Sequence, residues 1–145
     1  WWGKCPLKGV LQSAYGIIPH AGAWDQARLS EESSRWNEPL NTALMDGAPK
    51  PGEDSRSLIS VIGGGVEIPT VMVDGQHLLI RLFNGEGDAA ERTVSLYARP
   101  VRVDLVELNG QASRPLAVQV AGNGRYEVKV AMPRFGIRTL RCELA

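Results

Sequence analysis

A chain of 145 residues is the size of one domain, long enough to bury a core but too short for a catalytic domain plus an accessory one. Apolar residues make up 43% and charged residues 22%, a globular balance that argues against disorder. Sixteen basic residues cancel sixteen acidic ones, so there is no positive field or Lys/Arg run to attract nucleic acid or an anionic membrane, and neither is expected as a partner. No apolar run approaches the roughly 20 residues needed to cross a bilayer, and no charged n-region followed by an apolar stretch opens the chain. It begins Trp1-Trp2-Gly3-Lys4 without an initiator Met, which reads as a fragment of a longer protein.

In chain order, Ala14-Tyr15-Gly16-Ile17-Ile18 is short and apolar and is expected to be a strand stopped by Pro19. From Ala23 to Trp36 there is no Gly or Pro, and Glu31 and Arg35 sit four apart, where opposite charges meet on a helix face. A helix is expected there, short, on the surface, with Trp24 and Trp36 tucked against a sheet. The run from Asp46 to Arg56 combines turn formers with charge and reads as a loop.

After that loop the pattern changes to short apolar runs broken by turn residues. Strands are expected at Leu58 to Ile62, Val66 to Val73, His77 to Asn84, Thr93 to Tyr97, Val101 to Leu108, Leu116 to Val120, Tyr126 to Met132 and Ile137 to Leu144. Val101, Val103 and Leu105 alternate onto one face, as do Tyr126, Val128, Val130 and Met132, the spacing of antiparallel strands with one face on a core. Asp74-Gly75, Asn109-Gly110 and Gly122-Asn123-Gly124 suit the positive φ of tight hairpins. The fold class that follows is all-β, an antiparallel β-sandwich with one short surface helix near the N-terminus, and residues 1–145 form a single sandwich domain. No internal repeat is visible.

Chemistry-bearing patterns are sparse. His20 and His77 stand in no metal-ligand spacing, and Cys5 and Cys142, near the two ends, are either one disulfide or two thiols. No G-x-S-x-G marks a nucleophile. Gly63-Gly64-Gly65 precedes a strand rather than a helix N-terminus, so it is a turn and not a phosphate cradle. Asn84-Gly85-Glu86-Gly87-Asp88 has the carboxylates and glycines of a calcium loop but lacks its distal Glu, and a strand connection explains it equally well. Sixteen acids make a pair of catalytic carboxylates easy to assemble and impossible to assign. Trp1, Trp2, Trp24 and Trp36 are rings that could stack on sugars, though packing of helix on sheet accounts for Trp24 and Trp36.

Two stretches resemble one family. Tyr15-Gly16-Ile17-Ile18-Pro19-His20-Ala21-Gly22-Ala23-Trp24, followed by Trp36-Asn37-Glu38-Pro39-Leu40, resembles the "YALLPHAGDW … NNPL" stretch of family 38 glycoside hydrolases, the retaining α-mannosidases. Ser57-Leu58-Ile59-Ser60-Val61, then Leu78-Leu79-Ile80-Arg81-Leu82-Phe83-Asn84-Gly85-Glu86-Gly87, Val103-Asp104-Leu105 and Phe135-Gly136-Ile137-Arg138-Thr139-Leu140, are similar, in order, to that family's C-terminal β domain, "SFLSV … LVLRLYN … VDLL … PFGIRTL". The match runs from Tyr15 almost to the end. It departs at Ala23, where the family often has Asp, and at Ile68-Pro69-Thr70-Val71-Met72-Val73, which replaces a more charged stretch.

The resemblance implies a parent enzyme that hydrolyses terminal α-mannosides with retention. It implies that the zinc, the Asp nucleophile and the acid/base carboxylate all lie in an N-terminal catalytic domain whose positions are absent from this chain. No catalytic, cofactor-binding or metal-ligating residue is therefore assigned here, and the fragment alone is expected to be inactive. Its partners would be the catalytic domain of the same polypeptide and, through it, the α-mannoside. Arg81 alternates with Ile80 and Leu82, so it points away from their face, where it is either solvated or paired with a carboxylate of a neighbouring strand or of the catalytic domain. Two other classes of function compete: a stand-alone carbohydrate-binding sandwich using Trp24 and Trp36, and a structural Ig-like spacer.

Overall fold

Side chains on a strand alternate between faces, so a run with every second residue apolar must lay that face on another layer. In the computed structural model this requirement closes two antiparallel sheets on one another. The structure describes residues 9–24, 26–38, 57–122 and 124–144. Among them are helix α1 (Leu29–Asn37) and strands β1 (Ile59–Ile62), β2 (Val66–Asp74), β3 (His77–Asn84), β4 (Ala90–Leu96), β5 (Pro100–Val106), β6 (Ala112–Leu116), β7 (Val118–Val120), β8 (Tyr126–Met132) and β9 (Ile137–Leu144). One sheet has the order β1-β4-β8-β7 and the other β2-β3-β9-β5-β6. The all-β sandwich with one short helix is the architecture expected from the alternation.

The core lies between the sheets. Val94 and Leu96 of β4 and Val128, Val130 and Met132 of β8 face Ile80 and Leu82 of β3, Val103 and Leu105 of β5 and Leu140 and Cys142 of β9, all buried. Each such side chain stabilises the fold by roughly 1.5–3 kcal/mol relative to leaving it in water. The alternation expected from Tyr126 to Met132 is present, with Glu127, Lys129 and Ala131 turned outward from the core side.

Several expectations need correction. Ala14 to Ile18 is not a strand: the segment pairs with no strand of either sheet among the described residues, and without a hydrogen-bonded neighbour strand composition alone makes no strand. The helix begins at Leu29, not Ala23, because the chain turns first, with Gln26 and Ala27 donating to the Ala23 carbonyl and Arg28 in the left-handed region at φ 51. β4 starts at Ala90 rather than Thr93, since Ala90 to Arg92 pair with Val130 to Met132. β5 runs from Pro100 to Val106, and the chain then turns, Glu107 donating to the Gln111 carbonyl at 2.9 Å. Val101 does not share a face with Val103 and Leu105: the register shifts between Pro100 and Arg102, leaving Val101 as the extra residue of a bulge and 63% exposed. The strand expected from Leu116 to Val120 is two strands, β6 and β7, because the chain crosses at Ala117 from the five-stranded sheet to the four-stranded one.

The hairpin turns fall where Gly demands them. β2 and β3 are joined at Gly75 (φ 60), and β5 and β6 through Gly110 (φ 82), whose N–H reaches the Glu107 carbonyl at 2.9 Å. Gly124 (φ 75) serves β7 and β8, while Asn123 lies outside the described residues. Trp1, Trp2, Cys5, Pro39, Leu40 and the loop read from Asp46 to Arg56 also lie outside them.

Candidate functional site

One corner of the sandwich gathers most of the segments singled out above. The β1–β2 turn (Gly63-Gly64-Gly65), the β3–β4 loop (Gly85 to Ala89), the β8–β9 loop (Pro133 to Gly136) and α1 all meet there. Its hub is Asn84. Leu78, Ile80 and Leu82 place the next inward position of β3 at residue 84, so an amide occupies a slot the core would otherwise fill with an apolar group. The side chain, 1% exposed, donates through Nδ2 to the Asp88 carbonyl (2.7 Å) and the Pro133 carbonyl (3.0 Å) and accepts from the Glu86 N–H (3.0 Å), while its own N–H bonds the Gly136 carbonyl (2.9 Å). Two loops far apart in sequence are thereby tied together.

A second clamp is Arg92, whose Nε donates to the Gly64 carbonyl (3.1 Å) and whose Nη2 meets the Asp88 carboxylate (3.1 Å). The Asn84 to Asp88 stretch is thus a loop held by an inward amide and an arginine. The Gly-rich turn is equally structural. Gly64 and Gly65 both have φ 71, and a β-carbon at Gly65 would strike the Glu86 carboxylate.

Helix α1 docks on this corner through polar atoms, and none of its residues is fully buried. Ser30 and Ser34, four apart on one face, both donate to the Glu67 carboxylate at the start of β2, Ser34 at 3.0 Å. A β-carbon on Gly85 would collide with the Ser30 hydroxyl, so that glycine sets how closely the helix approaches. Between helix and sheet lies a groove of about 450 Å³ whose lining includes Arg28 and the carboxylates of Glu31, Glu38, Glu67 and Glu86. Glu67 is taken by the two serines, and Glu31 pairs with Arg35 (2.7 Å) and Arg28 (3.7 Å), so both act as structural acceptors.

The aromatic expectation divides. Trp24 stacks on Phe135 with ring centroids 5.7 Å apart and planes at 16°, and the Arg134 guanidinium lies 5.2 Å over the same Phe ring. Trp36 is not tucked against a sheet, being 65% exposed at the end of α1. His20 lies exposed in the segment before the helix and His77 opens β3, on separate elements. Among the described residues no three of His, Cys, Asp and Glu stand close enough to hold a metal ion. Cys142 is a buried free thiol, pushed up from 9.0 to about 11 by burial, and so remains protonated and unreactive near neutral pH. Whether Cys5 pairs with anything lies outside the described residues.

The outward face of the five-stranded sheet holds the other candidate. Arg81 stands between Thr70 of β2 and Thr139 of β9 in register, pointing away from the core as the alternation requires. Its Nε is buried without a hydrogen-bond partner among the described residues, as is the hydroxyl of the adjacent Thr139. One register row away, Asp104, 3% exposed, is held by Arg102 (2.8 Å) and Arg141 (3.7 Å). Leu79 and Met72 border the row, and Met72 is half exposed. The face is therefore mixed in charge, Arg81, Arg102 and Arg141 against Asp74, Asp104 and Glu143, with apolar flanks.

Sequence reasoning missed Asn84 as a hub, Arg92 and the two serines. Only Asn84 left a signal, a polar residue on an apolar period; the others depend on contacts between segments far apart in the chain. No protein-family model and no curated protein sequence matches this chain.

Proposed function

We propose that the chain is the non-catalytic C-terminal β domain of a retaining α-mannosidase, packing on the zinc-dependent catalytic domain of the same polypeptide and supporting its cleft. The observation that carries this reading is that the two stretches resembling family 38 glycoside hydrolases are in contact. Trp24 of the first stacks on Phe135 of the second, and Asn84 of the "IRLFN" strand bonds the loop holding Phe135 and Gly136. Residues that resemble a family only as scattered motifs thus serve one another physically. The docking face would be the outward side of the five-stranded sheet, where the half-buried Arg81, with no partner for its Nε among the described residues, would pair with a carboxylate of the catalytic domain.

A stand-alone sugar-binding module would need free aromatic faces. One face of Trp24 is already covered by Phe135, which favours the supporting role. The test is hydrolysis of a chromogenic α-mannoside with zinc supplied, by this chain and by a longer polypeptide that contains it. Activity confined to the longer polypeptide supports a supporting domain. Turnover by the chain itself, or none by either, overturns the reading.

A further inference from the structure

Among the described residues the sandwich is open along one side. β1 and β2 are edge strands of the two sheets, and between them lies an apolar cleft of about 230 Å³ formed by Ile59 and Leu96 of one sheet and Val71, Leu78 and Leu144 of the other. Val71 and Val73 sit on the inward side of β2, opposite Ile80 and Leu78, yet are 50% and 75% exposed, because the four-stranded sheet does not extend over them. The first half of β2 is protected as edge strands commonly are, by Pro69 and by a register shift between Glu67 and Thr70. Thr70-Val71-Met72-Val73 has neither a charge nor a proline, and its outer backbone groups pair with no strand among the described residues.

The same chain carries a strand-forming segment without a sheet. Ala14 to Ile18 has strand composition, but no backbone hydrogen bond ties it to a strand among the described residues. Tyr15 and Ile17, which alternate onto one face, are each 86% exposed. In its own chain this segment lies beside α1, with Gly16, Ile17 and Ile18 facing Trp36 and Asn37 across a shared groove. α1 is pinned at Glu67, at the start of β2, and the open stretch near Val73 is about 20 Å further along that strand.

We propose that two copies of this chain exchange these segments. Residues 14–18 of each add as a strand to Thr70–Val73 of the other, pairing the free backbone groups and laying Tyr15 and Ile17 over the apolar cleft. This inference does not rest on the mannosidase reading, and its test involves no catalysis.

Sedimentation velocity over roughly a hundredfold concentration range should show a monomer–dimer equilibrium. Ile17→Lys and Val73→Lys should each weaken it by about tenfold or more. Both side chains are largely exposed, so at a concentration where parent and variant are both monomeric each variant should keep the parent's urea midpoint, which verifies folding. Mixing the two variants should restore a heterodimer, because one of its two strand additions joins an unaltered segment to an unaltered edge. A monomer at every concentration overturns the proposal. So does a dimer that Val73→Lys abolishes and Ile17→Lys leaves intact, since that pattern means edge-to-edge pairing of β2 without the segment.

Discussion

The corner around Asn84 and the open side between β1 and β2 belong to the same sandwich but are finished differently. At the corner, loop carbonyls and N–H groups are withdrawn from water, and each connection is matched by a buried donor or acceptor from Asn84 or Arg92. At the open side the exposed groups are apolar side chains and a strand edge unpaired among the described residues, which water tolerates at modest cost. The difference follows from the energetics. A polar group buried without a partner costs about 1–3 kcal/mol, so the loop groups at the corner are satisfied within the fold, whereas an apolar patch can wait for a partner.

The sharpest way to break this contrast is Asn84→Ala, which leaves two loop carbonyls and the Glu86 N–H without their partner. A loss of about 3 kcal/mol is expected in urea unfolding. A loss under about 1 kcal/mol would mean the corner is not organised by this amide.

Next in size is a pH effect on the core beneath both regions. The Cys142 thiol titrates near 9.0 when unfolded and at about 11 when folded, so above pH 9.0 the unfolded chain releases a proton that the folded chain keeps. The thiol's contribution is complete below pH 9.0 and is lost as pH rises toward about 11, by on the order of 2 kcal/mol. Comparing unfolding of the parent and Cys142→Ala across that window isolates it, because the variant should lack this part of the slope.

Gly65→Ala forces a side chain into the left-handed region and against Glu86, and should cost about 1–2 kcal/mol. Ser34→Ala removes one of the two hydroxyls holding α1 to Glu67 and should cost about 1 kcal/mol. Its readout is faster amide exchange in α1 with strand amides unchanged; equal acceleration everywhere would show that the helix and sandwich open together. The smallest effect belongs to the open side. Val73→Thr, keeping the β-branched shape, should change the stability of the isolated copy by no more than about 0.5 kcal/mol. A larger loss would place Val73 in the core rather than at a vacant edge.

The sequence was most informative where one rule governs each residue. β3, β8 and β9 have the boundaries read from alternation between turn residues, and the glycines at 75 and 110 stand in the turns their φ freedom suggests. It failed where a neighbour decides. Ala14 to Ile18 has the composition of a strand, but a strand exists only by pairing. Val101 has the right period, but a bulge against β9 turned it outward.

What the sequence determined by itself is therefore the class of fold and the inward side of β3 and β8, because burial period and turn chemistry are local properties. Tertiary structure alone decided which strands share a sheet, why Asn84 is buried, that a helix with no buried residue docks through two serines on Glu67, and which edge was left open. Each of those rests on groups tens of residues apart, whose meeting depends on how the layers close rather than on any local pattern.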